Sequence, residues 1–285
     1  MKIEAQFDPA TFTLTYIVSD EKTKDAIIID PVLDYDPNGS AISYESVNKA
    51  EKYIKDNGLN LVYILETHAH ADHLSSSQEL KKRFPNAKVA INENIKKVQE
   101  AFKPVFNLEG FLTDGSQFDL LLNEKENIKF GDLELQTIFT PGHTPACSTF
   151  KINDVIFTGD ALFMPDYGTG RCDFPAGSPE ELYDSVYNKL YSLPDETRVF
   201  VGHDYQPGGR ELQWETTIGA SKKANIRLTA DTSKEQFVQF RKTRDAELRA
   251  PRLIFQSVQV NINAGEIPTV EAQTPFLKMP VALPK

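Results

Sequence analysis

The chain contains five histidines, and all of them lie in three clusters of polar and turn-forming residues that each follow a predicted strand. The clusters read THAHADH over residues 67–73, PGHT over 141–144 and GHD over 202–204. A fourth cluster, TGDA over 158–161, offers a carboxylate in the same kind of position. Loops at strand ends are where α/β sheets present functional groups. The candidate site residues are therefore His68, His70, Asp72, His73, His143, Asp160 and His203.

The spacing within the first cluster indicates metal binding. In an extended stretch, residues i and i+2 point the same way, so His68 and His70 can address one point. Asp72 and His73, at the bend into the next helix, can address a second point nearby. A single histidine is more often an ordinary core or surface residue, but four such residues so close together are hard to bury without a cation. Imidazole and carboxylate ligands suit zinc, iron, manganese or nickel.

The composition is typical of a globular chain, and its acidic charge favours a small-molecule partner. Its 285 residues carry a formal net charge of −10, 40% of them are hydrophobic, and the mean hydropathy is −0.39. An acidic surface repels nucleic acid and anionic lipid, so we expect neither a nucleic-acid nor a membrane partner. Two cysteines, Cys147 and Cys172, cannot build a disulfide framework, and residues 1–20 lack the pattern of an export or import signal. We therefore predict a cytoplasmic location.

The elements that must position the clusters alternate between strands and helices, which predicts an α/β fold. Period-two apolar residues over 12–18 and a buried run over 26–29 predict an opening hairpin. Apolar spacing predicts helices over 44–54, 75–84, 92–102, 178–190, 209–219 and 233–248. Further strands are predicted near 89 and over 61–65, 126–130, 133–139, 147–152, 154–158 and 198–201.

The chain is expected to divide into a catalytic domain, 1–250, and an extended, proline-rich C-terminal tail, 251–285. The tail would pack on the domain or at an oligomer interface. The segment 104–127 is predicted to be irregular.

At this point the sequence resembles the metallo-β-lactamase superfamily. The HxHxDH motif of that superfamily and its later His, Asp and His recur here in the same order, over about residues 1–205. The resemblance implies a four-layer αβ/βα sandwich, with two mixed β-sheets flanked by helices and a metal site at one edge between the sheets. It does not fix the reaction, because members with the same ligands catalyse different reactions.

Three further segments narrow the resemblance to one branch. PGHTPACS over 141–148, followed by TGDALF over 158–163, is similar to both the glyoxalase II and the persulfide dioxygenase branches. GRCDF over 170–174 resembles the Gly-Arg-x-Asp-Phe segment of the persulfide dioxygenases. Residues 164–177, together with FLKMP over 276–280, look most like the bacterial β-lactamase-hydrolase-like subgroup of that family.

The resemblance to persulfide dioxygenases implies one Fe(II) per chain, held by His68, His143 and Asp160. Such a set leaves three coordination positions open for water, substrate sulfur and O2. Neighbouring residues would orient the ligands and exchange protons, with Asp72 and His73 taking part in catalysis; these neighbours are His70, Asp72, His73 and His203. The implied reaction is oxidation of a low-molecular-weight persulfide, glutathione persulfide above all, to sulfite and thiol.

Substrate contacts follow from charge, since glutathione carries carboxylates and an acidic protein needs cations near its site. Arg171 is the first candidate, either paired with Asp173 or facing the substrate, and Tyr205 and Arg210 follow. Cys172, beside Arg171, is interpreted as a buried structural thiol, with a redox role as the alternative. We also expect a homo-oligomer, a dimer or tetramer, and a rhodanese-type sulfur-transfer protein is a candidate partner.

Two other functions stay open on the same residues. A glyoxalase II-like thioester hydrolase would bind two zinc ions, one through His68, His70 and His143, with Asp160 as the bridge. Its second zinc would take the remaining ligands, Asp72, His73 and His203. A non-catalytic metal or redox sensor would use the ligands only to detect metal or oxygen, but no helix-turn-helix pattern or basic patch is evident to transmit a signal.

Overall fold

The computed structural model of the protein describes residues 1–124, 126–270 and 274–281. The strands, β1 to β17 in chain order, are Lys2–Asp8, Thr13–Ser19, Asp25–Ile29, Val32–Asp36, Ala41–Ser43, Asn60–Leu65, Leu74–Ser75, Lys88–Asn92, Leu120–Leu122, Ile128–Phe130, Leu133–Phe139, Ser148–Ile152, Val155–Phe157, Arg198–Phe200, Glu215–Thr217, Thr269–Val270 and Thr274–Pro275. The α-helices, α1 to α7, are Glu45–Asp56, Ser77–Arg83, Ile95–Phe102, Pro179–Asp184, Ile218–Ala224, Lys234–Glu247 and Ile254–Asn261. A π-helical stretch, Ser185–Leu190, continues α4, and Pro207–Gly209 forms a 3-10 turn.

Two six-stranded mixed sheets form the centre of the fold, in the orders β1-β2-β3-β6-β8-β9 and β10-β11-β12-β13-β14-β15. Each sheet contains parallel neighbours, notably β3 beside β6 and β13 beside β14. A three-stranded sheet, β5-β4-β7, and the pair β16-β17 complete the strands of the described segments. The predicted architecture of two mixed sheets flanked by helices is confirmed.

Alternation along β2 shows how the layers are built. Tyr16 packs toward the second sheet, with its ring 5.1 Å from that of Phe157. Its neighbour Ile17 points the opposite way, into a core shared with Val47 and Ile54 of α1. Because successive residues of a strand face opposite sides, a strand buried on both faces must be apolar throughout. This explains the continuous run over 26–29, which forms most of β3.

Several predictions of local structure are confirmed. Strands β2 and β3 pair antiparallel as the predicted hairpin, with Tyr16 opposite Ile29. Helix α4 begins as its sequence indicates, because the Ser178 side chain accepts a hydrogen bond from the Glu181 N–H. Helix α6 begins with a complete capping box between Ser233 and Gln236. The predicted strands near 89 and over 61–65, 133–139 and 154–158 match β8, β6, β11 and β13.

Other predictions are wrong. The segment 209–219 is not a helix: Glu215–Thr217 pairs with β14 as an edge strand, and α5 begins only at Ile218. Pairing with the sheet overrides the helical spacing of the apolar residues there. The segment 104–127 is not wholly irregular, since Leu120–Leu122 pairs with β8. Strands β1, β4 and β5 were not predicted.

The expected extended tail is also wrong in part, because Ile254–Asn261 forms a helix. Leu253, Val258 and Ile262 are buried in the same core as α1. The five prolines that suggested an extended chain lie outside this helix, at 251, 268, 275, 280 and 284. The rest of the predicted tail lies partly outside the described residues, at 271–273 and 282–285, and the division of the chain at residue 250 stays a prediction.

Candidate metal centre

The carboxyl ends of two parallel strand pairs meet at the candidate site. Strands β3 and β6 run parallel in the first sheet and lead into Asp30 and the THAHADH loop over 67–73. Strands β13 and β14 run parallel in the second sheet and lead into Asp160 and His203. Because parallel neighbours end at the same sheet edge, each pair delivers two functional segments to one place.

His143 arrives from a turn between antiparallel strands β11 and β12. The turn packs tightly on the start of α4, and a Cβ atom on Gly142 would lie 2.4 Å from the Leu182 backbone. Gly142 also has a φ of +139°, a conformation that other residues rarely adopt. A glycine is therefore required before His143 in this fold.

Three of the predicted ligands come together as one set, the primary group, formed by His68, His143 and Asp160. One ligand atom from each lies within 4.8 Å of the others. The Asp160 Oδ2 atom is 3.5 Å from His143 Nε2 and 4.0 Å from His68 Nε2. Ligand atoms held about 2.1 Å from one ion lie about 3.0 to 4.2 Å apart, so these separations suit a single transition-metal ion.

Unsatisfied polar atoms support the same interpretation. His68 Nε2 and Asp160 Oδ1 are buried and have no hydrogen-bond partner within the described residues. The same holds for His73 Nε2, Asp72 Oδ2 and His203 Nε2. Buried polar atoms are normally paired, and leaving one unpaired costs about 1–3 kcal/mol. A bound cation would satisfy these atoms, so the residues fit a metal site.

A second set, the secondary group, consists of His70, Asp72 and His203, whose ligand atoms also lie within 4.8 Å of one another. His203 Nε2 is 3.3 Å from both Asp72 Oδ2 and Asp160 Oδ1. Burial lowers the pKa of His203, but the two carboxylates outweigh it and raise the pKa to about 9. The secondary group therefore carries more negative charge around its imidazoles than the primary group does.

His70 faces a buried carboxylate pair. Its Nε2 atom is 3.1 Å from Asp30 Oδ1 and 3.3 Å from Glu66 Oε2, and all three side chains are buried. Burial lowers the pKa of His70, but Asp30 and Glu66 together raise it well above its usual value. Asp30, Glu66 and His70 also form a compact set of potential ligands. The His70 ring lies 4.0 Å from that of His68, but its ligand atoms group with these carboxylates and not with the primary group.

His73, predicted to take part in catalysis, belongs to none of these sets of potential ligands in the described part of the chain. Its Nδ1 atom lies 3.2 Å from the Leu74 carbonyl oxygen. Burial, reinforced by the nearby His70, lowers the pKa of His73 to about 4. Its ring lies 4.1 Å from that of His70, so it remains beside the site.

Hydrogen bonds on the far side of each ring orient the primary ligands. The Thr67 hydroxyl donates to Asp30 Oδ2 at 2.8 Å and lies 3.0 Å from His68 Nδ1. Since the hydroxyl proton is used by Asp30, Thr67 accepts from the Nδ1–H of His68. His143 Nδ1 donates to the Arg171 carbonyl oxygen at 2.6 Å. Both rings therefore keep Nε2 free for a metal.

Asn261 is a site residue that sequence reasoning missed. Its side-chain amide donates to the carbonyls of His70 and His73, at 2.8 Å each, and its Oδ1 accepts from the Ser75 N–H at 2.8 Å. It lies at the end of α7, within the tail that was expected to be extended. The one sequence signal that could have indicated burial of the Asn261 side chain is its position directly after a short apolar run. The Asp30 and Glu66 carboxylates were likewise not assigned to the site from sequence.

A cavity of about 970 Å³ opens onto the primary group, and His143, Asp160 and Asp72 line it. Arg171 and Tyr205, two predicted substrate contacts, also line this cavity. The Tyr205 ring stacks 5.6 Å from that of His203. Further arginines on the wall are Arg227, Arg241, Arg244 and Arg252. Five arginines and four aspartates thus line the cavity, so its charge is nearly balanced although the chain as a whole is acidic.

The other two predicted substrate contacts lie elsewhere. Asp173 accepts two hydrogen bonds from Arg171, at 2.5 Å each, and so neutralises that guanidinium without lining the described cavity. Arg210 is outside the cavity lining as described, and its guanidinium is held by Asp166 and Asp204. These two ion pairs connect the loops that carry Asp166 and Asp204, and a substrate contact of Arg210 stays a prediction.

Both cysteines are buried, as the structural interpretation requires. Burial raises the pKa of Cys147 to about 12 and raises the pKa of Cys172 as well. A thiol with a raised pKa forms little thiolate and is a poor nucleophile. In the described segments, no helix combines the length and hydrophobicity needed to cross a bilayer.

The fold and the site define a metalloprotein with two adjacent histidine–aspartate groups at the edge between two mixed sheets. The family model described as "Metallo-beta-lactamase superfamily" matches residues 8–203, and the chain belongs to that superfamily.

Individual relatives place the chain within the superfamily. It is 46% identical over 283 residues to "Glyoxylase B2" of Dictyostelium discoideum, covering 98% of this chain and 97% of that protein. It is 43% identical over 280 residues to the "Beta-lactamase hydrolase-like protein" of Agrobacterium fabrum, covering 98% of this chain but only 64% of the relative. It is 33% identical over 265 residues to human "Persulfide dioxygenase ETHE1, mitochondrial", covering 92% of this chain and 88% of that protein.

A solved structure supports the same branch of the superfamily. The crystal structure of ETHE1 from Myxococcus xanthus superimposes with a TM-score of 0.76 at 32% identity, covering 93% of this chain and 100% of the other. These similarities confirm the predicted fold and the predicted branch, and the names of the relatives indicate an enzyme.

Proposed function

We propose that the protein is a non-haem iron dioxygenase that oxidises glutathione persulfide, or a similar small persulfide, to sulfite and thiol. The observation that carries the proposal is that His68, His143 and Asp160 form one compact group of ligand atoms, whereas His70 belongs to two other such groups. Two imidazoles and one carboxylate form the facial set that non-haem iron uses with open positions for substrate and oxygen. The similarity to ETHE1 proteins supports the same assignment.

The reaction consumes one persulfide, one O2 and one water and releases one thiol, one sulfite and protons. Bound Fe(II) would supply the redox chemistry that brings O2 and the terminal sulfur together. The task of the chain is to hold the three ligands, bind the carrier part of the substrate and accept protons. His203 and Asp72, next to the primary group, are placed to exchange protons with the cavity.

The cavity suits a small anionic substrate. Arg252 is exposed at its rim and makes no ion pair with any carboxylate of the described residues. Arg227 lies 4.4 Å from the centre of the Phe240 ring and likewise has no ion pair in the described chain. Glutathione carries two carboxylates that such guanidinium groups can bind. The cavity is also lined by four aromatic residues, Phe12, Phe163, Tyr167 and Tyr205.

A dinuclear zinc thioester hydrolase is the second candidate, because the secondary group and the name of the Dictyostelium relative favour it. That function needs His70 to share a zinc ion with His68 and His143, and it needs His73 as a ligand of the second ion. The contacts of His70 with Asp30 and Glu66 favour the iron enzyme instead.

Oxygen consumption separates the two candidates. Protein purified without oxygen and loaded with Fe(II) is expected to consume O2 with glutathione persulfide and to release sulfite in a 1:1 ratio. Zinc-loaded protein is expected to leave a glutathione thioester intact. Thioester turnover without persulfide-dependent O2 uptake would contradict the proposal. A homo-oligomeric state, a rhodanese-type partner and a cytoplasmic location stay predictions.

A further inference from the structure

One peptide group connects helix α6 to the ring of His143. The carbonyl oxygen of this group belongs to Arg171 and accepts from His143 Nδ1 at 2.6 Å. The N–H of the same group belongs to Cys172 and donates to Asp245 Oδ2 at 2.8 Å. A carboxylate and a candidate ligand ring therefore bind opposite ends of one peptide unit.

The direction of these bonds fixes the state of the ring. A carbonyl oxygen only accepts hydrogen bonds, so the proton of the His143 ring must be on Nδ1. Nε2 then carries the lone pair, and it lies 3.5 Å from Asp160 Oδ2 in the primary group. The Arg171 carbonyl thus sets both the tautomer and the orientation of His143.

Asp245 is itself held rigidly. Arg241, one helical turn earlier on α6, contacts both oxygens of the Asp245 carboxylate, through Nε at 3.3 Å and through a terminal nitrogen. The two side chains are only 6% and 7% exposed. Arg241 also reaches the Thr169 carbonyl at 3.5 Å. A buried ion pair in this position keeps the carboxylate directed at the Cys172 N–H.

The loop that carries the peptide group also touches a second residue of the primary group. The Gly170 N–H donates to the Asp160 carbonyl oxygen at 3.1 Å. A Cβ atom on Gly170 would lie 2.2 Å from that oxygen, so the contact requires glycine. Residues 169–172 therefore connect α6 with two of the three proposed ligands.

We propose that Asp245 is a positioning residue for His143, acting through the Arg171–Cys172 peptide group, with Arg241 holding it in place. A carboxylate bound to the N–H end polarises the peptide group and strengthens the hydrogen bond at its carbonyl end. A stronger bond at Nδ1 makes Nε2 a better donor to a metal, as outer-shell carboxylates do for metal-binding histidines. Asp245 lies beyond residues 8–203, the part that the superfamily model matches. The inference rests on the ligand set of the proposed function.

The test compares metal affinity and ligand field in Co(II)-loaded protein, because cobalt reports its ligands in the visible spectrum. Asp245→Asn keeps the shape and removes the charge, and it is expected to weaken Co(II) binding about tenfold in a chelator competition. It is also expected to shift the cobalt absorption bands and the exchangeable Nδ1–H signal of His143. Asp245→Glu is expected to restore part of the affinity.

Asp245→Asn leaves the Arg241 guanidinium buried without its carboxylate partner, which by itself destabilises the fold. A second variant controls for this destabilisation. The double variant Arg241→Met/Asp245→Asn removes both charges at once, which buried pairs tolerate better than loss of one partner. It should show the same weakened binding and the same spectral shift. Arg83→Met, which breaks an ion pair with Glu51 far from the site, is the matched control and should leave both measurements unchanged.

The outcomes separate this inference from the proposed function. If the wild-type protein binds Co(II) and the double variant shows the same affinity and the same spectrum, the inference about Asp245 is wrong. If Arg83→Met weakens binding as much, the effect is general destabilisation, which also overturns it. If the wild-type protein binds no metal at all, the proposed ligand set fails first.

Discussion

The primary and secondary groups use the same residue types but differ in their surroundings. In the primary group, two rings with free Nε2 atoms face a single carboxylate, Asp160. In the secondary group, His70 lies against two further buried carboxylates, Asp30 and Glu66. We propose that one histidine-rich motif serves two purposes: His68 offers a lone pair to a metal, whereas His70, with Asp30 and Glu66, forms a charge-paired support beside the proposed ligands.

The largest expected effect comes from removing the carboxylate of the primary group. Asp160→Ala removes a proposed ligand, whose carboxylate lies within 4.0 Å of both His68 and His143, so Fe(II) affinity should fall by more than about 100-fold. Asp72→Ala, the matched change in the secondary group, should weaken binding by only about tenfold. Anaerobic chelator competition measures both. Equal losses in the two variants would remove the distinction between the groups.

The support should matter more for stability than for ligation. Asp30→Asn removes the charge that pairs with His70 and replaces one of the two oxygens that accept from the Thr67 backbone and hydroxyl with an NH2 group. The free energy of unfolding of the metal-free protein is expected to fall by about 3 kcal/mol, measured by urea denaturation. Asp132→Asn, at an exposed pair with Lys22, is the control and should cost less than about 1 kcal/mol. If both variants unfold alike, the buried pair is not a support.

Asn261 tests whether α7 belongs to the support. Asn261→Ala leaves two buried carbonyls and one N–H without their partners, so unfolding should become easier by about 2 kcal/mol. Asn263→Ala, two residues further on and half-buried, removes a single exposed bond to the Glu266 carbonyl and should change little. Thermal unfolding of both variants provides the comparison. A neutral Asn261→Ala would show that the motif loop is rigid without α7.

The smallest expected effect concerns substrate rather than metal. Arg171→Ala removes a cavity guanidinium but keeps the main-chain carbonyl that accepts from His143. KM for glutathione persulfide is therefore expected to rise about tenfold, equivalent to about 1.4 kcal/mol, with metal content unchanged. Arg198→Ala, which breaks a similar pair with Glu215 on an edge strand, should leave KM as it is. An unchanged KM in Arg171→Ala would exclude Arg171 from substrate binding.

The sequence predicted the parts of this comparison that depend on local patterns. Alternating apolar residues predicted β2, and a continuous apolar run predicted β3. The positions of His68, His143 and Asp160 after strands predicted their convergence. Spacing within the motif could not separate His70 from His68, because the separation depends on Asp30, which comes from another strand. The number of ligands around one ion is thus a tertiary property.

Contacts over long sequence distances account for the other omissions. Asn261 lies 191 residues from His70, and Asp245 lies 73 residues from Cys172. No local pattern marks either residue, since a buried polar side chain on a helix looks like a surface residue in the sequence. Arg210 shows the converse case, because a charged residue near the last histidine suggested substrate binding, whereas its guanidinium is paired with Asp166 and Asp204, which the sequence did not predict.

Anaerobic titration with Fe(II), on the wild-type protein and on His70→Ala, tests the central claim most directly. Because the primary group is proposed to hold one ion without His70, both proteins should bind one Fe(II) per chain, with a modest loss of affinity in the variant. Two ions per wild-type chain, with one of them lost in His70→Ala, would contradict it and would make His70 a ligand.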